Sequence, residues 1–365
     1  MIPVAEPCLG EEELKNVIEA VKSGWISSKG KFIEEFEREF AKYCGVKYGV
    51  ATANGTVALH LALKALGIGK NDEVIVPTLT FVATANAVIY CNAKPVFVDS
   101  HPEYWCIDPE KIEEKITKNT KAIIVVHLYG HPCDMDWIID VAEDKGLYVI
   151  EDCAEAHGAE YKGKKVGAFG DIACFSFYGN KIITTGEGGM CITNNEELAE
   201  KMRLLRDHGM SKHKKYWHDI VGFNYRMTNL QAAIGVAQLK KLDEFIEKKR
   251  QIAKWYAKEL NELEEKGLIE LHPEMPWAKC VHWMYSILIE DKIEISRDVL
   301  MRRLEEKGIE TRPFFVPMHL LPMYSSNEKL PVAEELARKG LNLPSSVNLS
   351  FESIKIICNT INDVR

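Results

Sequence analysis

Short apolar runs alternate with longer amphipathic stretches through the first half of the chain. Residues 48–51, 73–76, 95–98, 122–126, 148–150 and 172–177 have the length and β-branched character of buried strands. Between them, residues 57–66, 83–90, 109–116 and 135–145 carry helical spacing. Two further helical patterns, 11–21 and 32–43, precede the first strand, and the second sets Phe32, Phe36 and Phe40 on one face as core residues. This order predicts a mostly parallel sheet covered by helices on both faces, with ligands held at the carboxyl ends of the strands.

The pattern changes in the last third. From Thr228 a long helical periodicity runs through Leu239, Phe245, Trp255 and Leu260, followed by strand-like 284–289, helical 297–307 and strand-like 309–311. A smaller α+β domain is expected there, with a large domain over 1–239 and a small one over 240–365. The length of 365 residues suits two domains.

Composition narrows the function classes. Apolar residues make up 46% and charged ones 27%, with no run apolar enough for a membrane span, so no membrane partner is expected. The net charge of −8 argues against a nucleic-acid partner but leaves room for a local pocket holding a small phosphorylated molecule. The opening MIPVAEPCLGEEELK has neither the basic nor the apolar region of a secretion signal. Ten cysteines form no Cys-x-x-Cys pair and fall mostly in apolar segments, which predicts buried thiols in a reducing compartment, the cytoplasm.

Candidate chemistry sits where strands end. In ACFSFYGNKIITTGEGGM, Lys181 follows a strand and precedes a glycine-rich turn, five positions after Ser176. Local sequence fits both a solvated loop lysine and one that forms an imine with an aldehyde cofactor. Asn54-Gly55-Thr56 opens a helix after a strand; it suits a simple cap or a phosphate site made of free N–H groups and the Thr56 hydroxyl. Asp152, directly after the strand at 148–150, suits a helix cap or a carboxylate that keeps a pyridine nitrogen protonated. His127 and His131 are four apart but lie in a strand-to-loop passage, and His208, His213 and His218 lack companion ligands, so no metal site is expected. The loop Gly24-Trp25-Ile26-Ser27-Ser28-Lys29-Gly30 has the composition of a binding loop or of an ordinary helix connection.

Taken together, five ordered stretches resemble the DegT/DnrJ/EryC1/StrS sugar aminotransferases, a fold-type I family that uses pyridoxal phosphate. They are Asn54-Gly55-Thr56-Val57-Ala58-Leu59, Val76-Pro77-Thr78-Leu79-Thr80-Phe81, Glu151-Asp152-Cys153-Ala154-Glu155-Ala156-His157-Gly158, Phe175-Ser176-Phe177 through Lys181, and Gly222-Phe223-Asn224-Tyr225-Arg226-Met227. The resemblance implies an α/β fold with a large cofactor-binding domain and a small C-terminal α+β domain. It makes Lys181 the Schiff-base lysine, Asp152 the partner of the ring nitrogen and Phe81 the aromatic stacked on the ring. Gly55, Thr56 and Ser176 would hold the phosphate, Glu155 would lie near the ring hydroxyl, and Asn224 would reach the phosphate of a neighbouring subunit in a homodimer. Within the family, FSFYGNKIITTGEGGM and WISSKGKF are similar to members that aminate C4 of a nucleotide-linked 4-keto-6-deoxyhexose, with L-glutamate as donor. Trp25, Ser27, Arg312 and His319 are the candidate sugar or nucleotide contacts. The intact Lys181 disfavours a sugar dehydratase or an empty-pocket sensor, and no Gly-x-Gly-x-x-Gly follows the first strand to favour a nucleotide-dependent oxidoreductase.

Overall fold

The computed structural model describes residues 1–363. Helices α1 (Glu11–Ser23) and α2 (Lys31–Cys44) lead into β1 (Tyr48–Thr52), α3 (Gly55–Ala65), β2 (Glu73–Pro77), α4 (Ala83–Tyr90), β3 (Lys94–Val98), β4 (Thr120–Val126), α5 (Met135–Lys145) and β5 (Tyr148–Asp152). A short hairpin of β6 (Glu160–Tyr161) and β7 (Lys164–Lys165) precedes β8 (Ile172–Ser176) and β9 (Gly189–Thr193). Then come α6 (Glu196–Arg206), α7 (Asn229–Lys240) and α8 (Leu242–Glu265).

These strands form one seven-stranded sheet in the order β1-β9-β8-β5-β4-β2-β3, parallel except for β9, which runs antiparallel to both its neighbours. Strand residues alternate between two cores, as a pleat of period two requires. Ile75, Ile123, Val125, Ala173 and Phe175 pack into one, which also takes Phe32, Phe36 and Phe40 of α2. Val74, Val76, Ala122, Ile124 and Cys174 pack into the other, against Ala58, Leu61 and Ala62 of α3. Burial on both faces is why these strands read as continuous apolar runs rather than alternating ones.

The C-terminal part holds β10 (Ile269–Glu270), β11 (Ala278–Lys279), β12 (Tyr285–Ile289), α9 (Arg297–Glu306), β13 (Arg312–Pro313), α10 (Pro331–Lys339), β14 (Gly340–Leu343) and α11 (Phe351–Asn362). A four-stranded antiparallel sheet, β10-β12-β14-β13, packs Ile287 and Leu341 with Tyr256, Leu300 and Ile357 in a third core. Helix α8 serves both parts: Leu242, Phe245 and Ile246 join the first core, and Ile252, Tyr256 and Leu260 the third.

Three sequence expectations are corrected. Residues 109–116 make two 3-10 turns, Pro109–Lys111 and Glu113–Lys115, because Asp108 caps a turn that Pro109 starts and only Pro109 and Ile112 are buried, too few to anchor a helix face. The helix expected from Thr228 onward breaks at Lys241 into α7 and α8. The pairing expected over 309–311 lies instead at Arg312 and Pro313, opposite Asn342 and Leu341, while Ile309 makes an isolated bridge to Ile2.

Candidate active site

The carboxyl ends of β2, β4, β5 and β8 and the start of α3 surround a cavity of about 790 Å³, closed on its far side by residues of the C-terminal part. At one end, α3 opens beneath Ser176. Asn54 caps the helix, its Oδ1 accepting from the Val57 N–H at 3.0 Å, so the N–H groups of Gly55 and Thr56 precede the helix's own bonding pattern. Gly55 is required by distance: a Cβ there would stand 2.7 Å from the Ser176 Cβ. The helix start and the Ser176 hydroxyl are thereby brought close enough to share one anion.

At the other end, two acids and one amine converge. Asp152 is 5% exposed, and its carboxylate accepts from the Thr84 hydroxyl at 2.9 Å and from the Ala154 N–H at 3.2 Å. Burial raises its pKa above the ordinary value, opposed by these two bonds and by the Lys181 charge. Glu155 accepts from the Tyr129 N–H at 2.7 Å, and burial lifts its carboxyl to about 7 against the pull of Lys181. Burial lowers the Lys181 amine below the usual lysine range, with Glu155 and Asp152 acting the other way. Its Nζ makes no hydrogen bond to the described residues and lies 3.7 Å from the centre of the Trp283 ring. A carboxyl raised and an amine lowered by burial, lining one cavity, are groups suited to exchanging protons.

The DegT/DnrJ/EryC1/StrS aminotransferase family model matches residues 7–362. The chain belongs to this family. A GDP-perosamine synthase of Escherichia coli O157:H7 is 52% identical over 363 residues, covering 99% of this chain and 98% of that protein. The GDP-perosamine synthase of Vibrio cholerae is 47% identical over 364 residues, with coverage of 99% and 98%. Among solved structures, the aminotransferase TlmJ of Streptoalloteichus hindustanus matches with a TM-score of 0.94 at 32% identity, over 100% of this chain and 98% of that one. This chain is therefore an aminotransferase, and its cofactor is pyridoxal phosphate.

The cavity of this aminotransferase fits that cofactor. It offers an amine with no hydrogen-bond partner, a buried carboxylate at a strand end and an anion cradle that tolerates only glycine at position 55. Of the residues singled out in the sequence, Gly55, Thr56, Phe81, Asp152, Glu155, Ser176, Lys181 and Arg312 all line it. Asn224 does not; it is exposed, and its Oδ1 accepts from Arg226 Nε at 3.0 Å.

Trp25 and Ser27 also lie outside the cavity, in a loop pinned by Asn229. The Asn229 side chain donates to the Trp25 carbonyl at 2.7 Å and accepts from the Phe32 N–H at 3.1 Å, and its backbone N–H donates to the Ser27 carbonyl at 2.6 Å. Gly30 makes room, since a Cβ there would fall 2.3 Å from the Asn229 side chain. His319 is a correction: it is fully buried, with Nδ1 2.7 Å from the Thr78 hydroxyl and Nε2 3.2 Å from Glu334, and so ties the segment after β13 to the end of β2 instead of facing the cavity. His127 and His131 have both ring nitrogens engaged by the protein. The first bonds Glu151 and the Cys133 N–H, the second the Pro132 carbonyl and the Met275 N–H.

Sequence reasoning missed Thr84, Tyr129 and Trp283. Thr84 had a signal, its place in the first turn of a helix that begins at the cavity; its hydroxyl is 3.0 Å from that of Thr80 in the segment before the helix. Trp283 reaches the site from a segment more than a hundred residues away, and nothing local marks it.

Proposed function

We propose that this enzyme transfers the amino group of L-glutamate to C4 of a nucleotide-linked 4-keto-6-deoxyhexose, GDP-4-keto-6-deoxymannose, giving GDP-perosamine. The observation that carries the reaction class is the meeting of the Lys181 amine with the buried Asp152 carboxylate in one cavity at the strand ends. The sugar and its nucleotide rest on identities of 47–52% to three GDP-perosamine synthases over nearly the whole chain.

When bound, pyridoxal phosphate supplies an aldehyde that amines capture and a ring that takes up the electrons released by deprotonation. The rest falls to the protein. Asp152, held by Thr84 and Ala154, keeps a proton on the ring nitrogen, because a buried carboxylate is compensated by a cation at that point. Gly55, Thr56 and Ser176 would hold the phosphate, Phe81 would cover the ring and Glu155 would serve the ring hydroxyl. The Lys181 amine, once displaced, takes the proton from the donor's α-carbon and later returns one to C4 of the sugar. Arg312 is the one cation besides Lys181 among the described cavity residues and suits the anionic parts of donor and sugar nucleotide.

The working unit is a homodimer. Leu14, Ile18, Val21 and Trp25 put an exposed apolar stripe along α1 and the loop after it, and Asn224, outside its own cavity, serves the phosphate of the partner. Trp25 and Ser27 meet the sugar nucleotide in the same way, from across the interface. Residues 1–239 form the cofactor domain and 240–365 the small domain. The cytoplasm is the compartment: all ten cysteines are free and nine are buried, and no described helix is long and apolar enough to cross a membrane.

Incubation with L-glutamate and a panel of GDP-, UDP- and dTDP-linked 4-keto-6-deoxy sugars, read by mass spectrometry for exchange of the carbonyl for an amine, tests this. The GDP-linked sugar is expected to give the highest kcat/KM. A UDP- or dTDP-linked preference replaces the nucleotide, and no amine from any of them overturns the reading.

A further inference from the structure

The Trp283 ring lies directly against the amine on which the proposed reaction turns, and it is held there by several independent contacts. Its indole face lies 3.7 Å from Lys181 Nζ, and its Nε1–H donates at 2.8 Å to the carbonyl of Asn180, the residue before that lysine. The face and the ring N–H of the same indole thus engage the lysine at its amine and at the backbone just before it. Behind it, the Lys249 ammonium donates to the Trp283 carbonyl at 3.0 Å and to the Ser345 carbonyl at 2.6 Å, a buried clamp between α8 and the segments flanking β12 and β14. To one side, the Trp283 ring stacks on Tyr129 at 6.3 Å, the residue whose N–H holds Glu155.

The backbone around it is strained in the same place. His282, directly before Trp283, has φ 45°, and Tyr129 has φ 51°, both in the left-handed region that non-glycine residues rarely adopt. Strain of this kind persists where surrounding contacts over-determine it, and it gathers at functional sites.

We propose that Trp283 is a positioning residue for Lys181: its indole face is the seat the amine occupies whenever it is not bonded to the cofactor, and its N–H fixes the backbone from which that amine swings. This rests on the proposed role of Lys181. An aromatic face attracts the protonated amine and excludes water from it, so the lysine stays beside its proton acceptors during the interval in which it moves protons. A lysine with four rotatable bonds and no hydrogen-bonded partner otherwise sweeps much of the cavity.

The proposal is tested on the cofactor-stripped full chain, by the pH-dependent rate at which acetic anhydride acylates Lys181, resolved by peptide mass spectrometry. In Trp283→Leu, loss of the attraction lowers the protonated fraction and loss of the ring opens the amine to reagent, so acylation is expected to quicken roughly threefold to thirtyfold. Trp283→Phe keeps an aromatic face and is expected within about threefold of wild type. In the loaded enzyme, Trp283→Leu is expected to lower kcat about tenfold or more with little change in either KM, the mark of a misplaced group rather than lost binding. Trp283→Met, which fills more of the space, replaces the leucine variant if circular dichroism shows the latter unfolded. Equal Lys181 acylation in wild type and the variant without the ring overturns the proposal. If instead the wild type aminates no keto sugar, the functional reading falls while the acylation comparison still decides whether Trp283 seats the amine.

Discussion

The Thr84 hydroxyl donates to Asp152 Oδ2 at 2.9 Å, which leaves the carboxylate one fixed orientation at the end of β5. The Thr80 hydroxyl lies 3.0 Å from that of Thr84, so side chains of the segment before α4, of α4 and of β5 are linked in series. A carboxylate that must hold a proton on a ring nitrogen works only if its charge points at that atom.

Thr84→Val keeps the shape of the side chain and removes the bond. Cofactor is expected to stay bound, and kcat to fall about tenfold to a hundredfold, the worth of one hydrogen bond to a charged group. Thr84→Ser should recover most of the loss. Steady-state kinetics of the three proteins checks this, and an unchanged kcat in the valine variant removes Thr84 from the site.

Asp152→Asn replaces a charge by an amide of the same size. The neutral group cannot stabilise a protonated ring, so the barrier should rise by several kcal/mol, roughly a thousandfold in rate, while circular dichroism stays that of the wild type. Near-native turnover would make Asp152 a cap for the turn at Ala154 and nothing more.

Much of this site was legible because its residues follow strands directly. Lys181, Asp152, Ser176 and Gly55 each lie within a few positions of an apolar run, and the parallel order of those runs places their carboxyl ends together. The strand β9 was not legible: it runs antiparallel between β1 and β8, and its residues follow a glycine turn that hides the run. His319 was expected among the sugar or nucleotide contacts, but nothing local shows that Thr78 and Glu334 engage both its nitrogens in the interior. Trp283 and Lys249 were invisible for a different reason. Their effect depends on which carbonyls and which amine the fold brings near, and that is set by long-range packing.

Lys249 makes a prediction about pH. Burial lowers its pKa from the ordinary lysine value to about 7. With the folded pKa below the unfolded one, between about pH 7 and pH 10.5 the unfolded chain holds a proton that the folded chain has released. Stability therefore rises with pH across that window, and the full cost of the buried charge is felt below it. Lys249→Met removes this dependence. Denaturant unfolding at pH 7 and pH 10, at fixed protomer concentration, should show the wild type gaining a few kcal/mol relative to the variant. A difference between the two that is the same at both pH values would mean that the Lys249 charge is not buried.

The assembly of the site can be tested without knowing the sugar. Asn224 is exposed and outside the cavity of its own chain, yet it lies in the stretch that the resemblance assigns to a partner's phosphate. Lys181→Ala is expected to abolish turnover with the fold intact, since under the proposed function it removes both the amine that bonds the cofactor and the group that moves the proton. Asn224→Ala is expected to weaken cofactor binding by about one hydrogen bond to a charged group, roughly 1.5–3 kcal/mol, so its defect shows at low pyridoxal phosphate. In a mixed dimer of the two variants, if Asn224 acts across the interface, one cavity carries both lesions and the other has a native Lys181 and receives a native Asn224. Activity above that of either parent is then expected at low cofactor, after subunit exchange has been verified by mass spectrometry of tagged chains. If Asn224 acts within its own chain, every cavity in the mixed dimer carries one lesion and mixing gains nothing. Proven mixed dimers without complementation would therefore place Asn224 in its own subunit's site or away from the phosphate.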